Sequence, residues 1–292
     1  MVRLFPISDL HGNFIDVNRD AGNSPFNMRK MKSVWSPTLR TGDDTILFAC
    51  GDIGERMQGV MWCERMLQVF PTLNICYCPG NHEFYGSNID LLLHDMHIAD
   101  ATSCDRLHIL DGYYKCHTVV SDQMGRPLCT VVGGTLWTNF NDKPEDGEEN
   151  PVDRIMDIAK RNMNDYKYIR SGNDSNSIKP TRILNMHYET RKEIFKQIER
   201  ADKDIPLIGM SHHTPYMDIP YDALHYCYHV DMTEEFNNAS RVPTYWFSGH
   251  THQSKTHKES YTAGTVEFVS NQIGYPHQFS TGFSMNCILE VQ

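Results

Sequence analysis

The stretch NICYCPGNHEFYG, residues 74–86, decides how the rest of the chain is read. Ile75 to Cys78 form an apolar, β-prone run. Pro79 and Gly80 break it, and Asn81, His82 and Glu83 follow, each able to hold a cation or a proton. A buried strand that ends in such side chains puts chemistry at its carboxyl end, where open α/β sheets bind their ligands. Other stretches repeat the grammar of hydrophobic strand, small or turn residue, then Asp, His or Asn. LFPISDLHG carries Asp9 and His11, and TILFACGDIGER carries Asp52, Glu55 and Arg56. PLIGMSHHTP carries His212 and His213, and TYWFSGHTHQS carries His250 and His252.

Taken singly, each stretch has a plainer reading as a turn, a cap or a strand end with one solvated side chain. Taken together, strand ends in adjacent strands would converge on one rim, which accounts for all of them at once. Asp9, His11, Asp52, Asn81, His212, His250 and His252 supply carboxylate, amide and imidazole donors. The set is too large for one tetrahedral zinc. It suits two ions sharing a bridging carboxylate, in a nitrogen and oxygen environment without thiolate. Mn, Fe, Zn, Co and Ni fit that donor set, with Mn the first choice in vitro; Ca and Mg fit less well, because imidazole is a softer ligand than they prefer. A close pair of ions is a clamp for in-line displacement at phosphorus.

The remainder of the chain supplies a scaffold for such a rim. It has 292 residues, 40% hydrophobic and 22% charged, enough for a sizeable core. The net charge of -10, without any Lys/Arg-rich block, argues against an extended duplex nucleic acid as partner. The nine cysteines are odd in number and scattered in apolar runs, as buried reduced thiols are. Cys76 and Cys78 share one face of their strand, and a lone C-x-C is not a zinc site. The N-terminal MVRLFPISDL has no signal-peptide core, and no apolar run approaches a membrane span, so the default compartment is the cytoplasm.

Short β-rich runs are expected at 2–7, 45–50, 74–78, 114–120, 128–134, 205–210, 243–248, 265–270 and 282–290. Amphipathic helices are expected at 57–70, 88–100, 152–166 and 183–202. Early strands alternate with helices, as parallel βαβ units do, whereas 107–137 reads as consecutive antiparallel strands. The expectation is a single α/β domain over residues 1–292, two mixed sheets packed together with helices outside. Residues 141–180 read as a polar and helical excursion from it. Pro6, inside the first strand, cannot donate to a ladder and leaves that strand's boundary open.

The order D-x-H, G-D, G-N-H-E, H, G-H-x-H, from Asp9 to His252, resembles the calcineurin-like metallophosphoesterase superfamily. GGTLWTNF (133–140), MNDYKYIR (163–170) and SNQIGYP (270–276) are similar to its small single-domain bacterial and phage branch. The resemblance implies a four-layer α/β/β/α sandwich with a dinuclear centre at its rim. Asp9, His11, Asp52 and His252 would hold one ion. Asp52, Asn81, His212 and His250 would hold the other. His212, first after its strand, is preferred over His213, with the opposite register left open. A water between the ions, acidified toward neutral pH, would attack phosphorus in line, and His82 would protonate the leaving alkoxide. By likeness to the GD-x-x-D-R of Ser/Thr protein phosphatases, Glu55 would orient His82 and Arg56 would grip phosphate; the plainer reading is a surface ion pair at a helix start.

Tyr216, Tyr221, Tyr226 and Tyr228, with Tyr85 and Trp137, are candidates to wall the site and stack on a base, or to pack a long loop. His225 with His229, and His94 with His97, read as helix-face or loop residues rather than ligands. The function expected is a metal-dependent phosphoesterase, foremost a phosphodiesterase on a small nucleotide-like substrate. The alternatives are a phosphomonoesterase and a catalytically silent binding scaffold.

Overall fold

The computed structural model describes residues 1–12, 28–36, 39, 44–141, 151–173, 176–216, 224–278 and 280–292. Its strands β1 (Val2–Ile7), β2 (Thr45–Cys50), β3 (Asn74–Cys78), β4 (Leu107–Ile109) and β13 (Leu289–Val291) form one sheet in the order β13-β1-β2-β3-β4. β1 to β4 run parallel and β13 antiparallel. The second sheet has the order β11-β12-β10-β9-β6-β5. It is built from β5 (His117–Ser121), β6 (Pro127–Gly134), β9 (Leu207–Ser211), β10 (Tyr245–Ser248), β11 (Lys255–Tyr261) and β12 (Gly264–Ser270). Its inner strands β6, β9, β10 and β12 are parallel, and β5 and β11 close the edges antiparallel. A short ribbon, β7 (Arg170–Ser171) with β8 (Asn176–Ser177), lies apart from both.

Side chains alternate across each strand, and the two faces meet different layers. Leu4, Ile46, Phe48, Cys50, Cys76 and Cys78 face inward and pack on Val131, Ile208, Met210, Phe247 and Val269 of the other sheet. Phe48 and Phe247 meet across the layers with ring centroids 4.7 Å apart, and truncating either would cost about 3–5 kcal/mol. The opposite face of the first sheet, Phe5, Ile7, Leu47, Ala49, Ile75 and Tyr77, is covered by α1 (Met28–Trp35), α2 (Gln58–Val69) and α3 (Ile89–Thr102) through Trp35, Trp62, Met66, Leu92 and Met96. The outer face of the second sheet, Val132, Leu207, Trp246, Val266 and Phe268, packs on Ile194, Ile198 and Phe236 of α6 (Pro180–Arg200) and α7 (Thr233–Asn238). The result is the expected four-layer α/β/β/α sandwich of two mixed sheets.

Pro6 is accommodated by register. The amide of Arg3 donates to Asp44, so odd-numbered amides of β1 face β2 and Pro6 faces the other side. The pairing of β13 on that side ends at Leu4, and no ladder hydrogen bond is lost. Three expectations need correction. The stretch 107–137 is not one antiparallel run: β4 pairs parallel with β3 in the first sheet, and only β5 and β6 form a hairpin. Within 282–290 only Leu289 begins a strand. The helix expected over 152–166 is broken at Met163 and Asn164 into α4 (Pro151–Asn162) and α5 (Asp165–Tyr168). These helices join the cluster on the outer face of the first sheet through Ile155, Ala159, Met163 and Tyr166. Residues 142–150 and 174–175 of the expected excursion lie outside the described residues. Among the described residues no helix is long and apolar enough to cross a membrane.

Candidate metal centre

The strand-end loops of β1, β2, β3, β9 and β10 meet at one rim, and the backbone there is bent tightly. Asp9, His11, Asp52, His250 and His252 all have φ between 46° and 74°, in the left-handed region that side chains other than glycine seldom occupy. Such strain collects where a constellation must be held. Gly80 and Gly249 are needed because their loops run against the site: a Cβ on Gly80 would collide with Asp52, and one on Gly249 would meet Asp9 Oδ2 at 2.8 Å. The turn residues before the polar side chains are therefore set by close approach.

Glu83 holds two of these loops together. Its carboxylate is fully buried. Oε2 accepts from the amides of Asp52 at 2.9 Å and Gly80 at 2.7 Å, and Oε1 accepts from Ile53 at 2.8 Å and Gly54 at 3.3 Å. Burial and the charge of Asp52 push its pKa up to about 7. Of the opening Asn81-His82-Glu83 triplet, Glu83 is thus a brace of backbone, not a donor to the centre.

The structure brings all seven expected donors together. Asp9, His11 and His252 form one group whose donor atoms lie within 4.8 Å of one another. Asp52, His212 and His250 form a second, and His11, Asp52 and His82 a third between them. In the first group His11 Nε2 and His252 Nε2 are 3.0 Å apart, and His252 Nε2 is 3.3 Å from Asp9 Oδ1. In the second, His212 Nε2 lies 3.1 Å from Asn81 Oδ1, 3.1 Å from His250 Nδ1 and 3.4 Å from Asp52 Oδ1. The other oxygen of Asp52 is 3.9 Å from His11 Nε2, so its carboxylate reaches both groups.

The hydrogen bonds behind these atoms fit the donor set to cations. A carbonyl oxygen can only accept, so His212 Nδ1 donates to Cys50 O at 2.9 Å and leaves the Nε2 lone pair facing the centre. His252 Nδ1 likewise donates to Gln278 Oε1 at 2.6 Å. Asn81 Nδ2 donates outward to Asp165 Oδ1 at 2.9 Å, which turns its carbonyl oxygen inward. Lone pairs from nitrogen and oxygen thus converge on two neighbouring points, with no thiolate among them, an arrangement that suits two borderline divalent ions. Burial and the neighbouring Asp9 carry Asp52 up to about 6, against the pull of His212.

His213 is in none of these donor groups. Its Nδ1 points at Thr135 O at 3.3 Å, and its ring packs 4.2 Å from that of His250 and 5.4 Å from Trp137. His82 stands at the mouth, Nε2 3.9 Å from Asp52 Oδ2 and 3.2 Å from Tyr275 Oη, its ring 4.3 Å from Tyr85 and 4.6 Å from His11. Burial lowers its pKa, against the charges of Asp165 and Glu83.

Glu55 and Arg56 are placed differently from the expectation. Arg56 is exposed, and its Nη2 donates to Gly86 O at 3.1 Å. Glu55 is half-buried, its amide bonded to Gln58 Oε1 at 3.0 Å. Neither is among the residues that line the cavity over the centre. That cavity holds about 520 Å³. Its walls include Tyr85, Tyr228 and Tyr275, the amides Asn162, Asn164, Gln253 and Gln278, and the carboxylate Asp165. Trp137 and Tyr226 belong to the core instead, Tyr216 stacks on His257 at 4.2 Å, and Tyr221 lies outside the described residues. His225 and His229 face each other at 4.3 Å, and His97 stacks on Tyr114 at 4.7 Å, both away from the centre. Sequence reasoning missed Asp165, Tyr275 and Gln278 as parts of the site, although the stretches MNDYKYIR and SNQIGYP contain the first two.

The chain is 24% identical over 285 residues to an uncharacterized protein of Acanthamoeba polyphaga mimivirus, covering 93% of this chain and 91% of that one. Its fold is similar to the crystal structure of phosphopantetheinyl hydrolase from Mycobacterium tuberculosis, with a TM-score of 0.59, 20% identity and coverage of 94% and 89%. Residues 3–254 match the calcineurin-like phosphoesterase description, a span that takes in every donor of the centre, and the chain belongs to that family of metal-dependent phosphoester hydrolases.

Proposed function

We propose that the chain is a phosphodiesterase acting on small, nucleotide-like phosphodiesters, with two divalent ions held at the strand-end rim. Asp9, His11 and His252 would hold one ion and Asn81, His212 and His250 the other, with Asp52 reaching both groups. Bound there, such ions supply electrophilic polarisation of phosphoryl oxygens and lower the pKa of water.

The chain's own groups do the rest. His82 Nε2 lies beside Asp52 at the cavity mouth; in its protonated form it delivers the proton that the leaving alkoxide needs as water takes that alkoxide's place on phosphorus. Tyr275 Oη, 3.2 Å from that nitrogen, holds the imidazole in place. The rings of Tyr85 and His11 both pack on that of His82, with centroids 4.3 and 4.6 Å away, which restricts its rotation. The tyrosine and carboxamide walls offer flat faces to stack on and paired donors and acceptors to read a polar ring. The observation that carries the reading is this combination: an acceptor-lined cage opening into a cavity of about 520 Å³ walled by tyrosine and amide, a volume in the range of small-molecule sites.

The test is a Mn²⁺-loaded assay of an aryl phosphodiester beside the aryl monoester, followed by a nucleotide panel. A higher kcat/KM for the diester is expected. Preference for the monoester would make the chain a phosphomonoesterase. Turnover of neither, with ions bound, would leave a binding scaffold.

A further inference from the structure

Asp165, at the start of α5, lines the cavity together with Asn162, Met163 and Asn164 and is almost fully buried at 3% exposure. Its Oδ1 accepts two hydrogen bonds, from Asn81 Nδ2 at 2.9 Å and from Tyr85 Oη at 2.6 Å. Those two donors also touch each other, at 3.2 Å. One carboxylate oxygen therefore grips a donor of the metal cage and the ring that packs on His82.

An asparagine amide has two ends of nearly equal shape, and only the oxygen end can face a cation. For Asn81 the choice is made from behind. If the amide turned over, its oxygen would lie against the Asp165 carboxylate and its NH₂ would enter the cage among His212 and Asp52. A carboxylate has no proton to offer a turned amide, so it rejects the wrong orientation as well as accepting from the right one. From this geometry we propose that Asp165 is a positioning residue that fixes the Asn81 carboxamide for the second ion and seats Tyr85 against His82. The inference rests on the assignment of Asn81 as a donor made above.

The segment that carries Asp165 has its own attachments. Gly86 N donates to Tyr168 O at 3.0 Å and Arg170 N to Ser87 O at 2.9 Å, so the backbone remains docked when the side chain is changed. Asp165→Asn keeps the shape but supplies an amide that can pair with Asn81 in either orientation. Mn²⁺ titration of the full chain, followed by calorimetry and electron paramagnetic resonance, is expected to show two ions in the wild type. In Asp165→Asn, one ion should be unaffected and the other weakened about 10- to 100-fold. Adding Asn81→Asp to that variant should restore the second ion, because a carboxylate presents oxygen at both ends and the amide introduced at position 165 can donate to the outer one.

Wild-type affinity for both ions in Asp165→Asn would overturn the proposal. So would a loss that the double variant fails to restore, which would mean that Asp165 acts through packing. A wild-type chain that takes up fewer than two ions would overturn the reading of the centre and this inference with it, a result recognised without any variant.

Discussion

Glu83 ties the loops that carry Asp52 and Asn81, so its replacement should unlock both. In Glu83→Gln the amide oxygen can still accept from one pair of backbone amides, for instance Ile53 and Gly54. The new NH₂ then faces the amides of Asp52 and Gly80, now bonded at 2.9 and 2.7 Å. Donor meets donor at both, and two buried N–H groups lose their acceptor. At about 1–3 kcal/mol for each such group, and with partial relaxation, the loss is about 2–5 kcal/mol, a large share of the 5–15 kcal/mol typical of a folded domain. Urea unfolding of the ion-free protein, followed by tryptophan fluorescence, reads it directly. For a slope of about 3 kcal/mol/M the midpoint should fall by roughly 1 M. The exposed Glu64, changed to Gln, serves as control and should stay within about 0.5 kcal/mol. If Glu83→Gln matched that control with an unchanged slope, the bracing role of Glu83 would be refuted.

Other outcomes follow from the same structure. Arg56→Ala should leave kcat and KM within about twofold of wild type, because the guanidinium is exposed and bonded to Gly86 O; a large rise in KM would put it back in the site. Gln278→Ala frees His252 Nδ1 and should weaken one ion about tenfold or more by calorimetry; unchanged affinity would remove Gln278 from the support of the centre. His187 is buried with Nδ1 on Leu136 O at 3.0 Å, and burial presses its pKa from 6.5 to about 3. Below pH 6.5 the unfolded chain takes up a proton that the folded one refuses, so stability drops as pH falls toward 3, by about 1.4 kcal/mol per pH unit for this group. In His187→Gln the dependence measured by urea unfolding between pH 6.5 and 4 should be shallower by about that slope; an identical slope would contradict the burial argument.

The donors were legible in the sequence because each comes within a few residues of the end of a hydrophobic strand, and the parallel strands of the two sheets end on one rim. Asp9, Asp52, Asn81 and His250 could be named from that rule alone. The sequence left His212 and His213 open, since both follow the same strand; the carbonyls of Cys50 and Thr135 separate them in the fold. Asp165 and Gln278 were not legible, because each reaches the centre from a segment without a strand in front of it. Glu55 and Arg56 were drawn toward the site by spacing after Asp52, but the turn at Arg56, with φ of 54°, sends that side chain outward to Gly86. Strand β11 escaped notice because KTHKESY is an exposed edge with few apolar residues, and β4 because three residues carry too little pattern.

The most direct measurement is anomalous scattering at the manganese edge from crystals of the full chain soaked in Mn²⁺. Two peaks are expected, one enclosed by Asp9, His11 and His252, the other by Asn81, His212 and His250, with the Asp52 carboxylate between them. A single peak, or none at saturating metal, would contradict the two-ion centre on which the proposed chemistry stands.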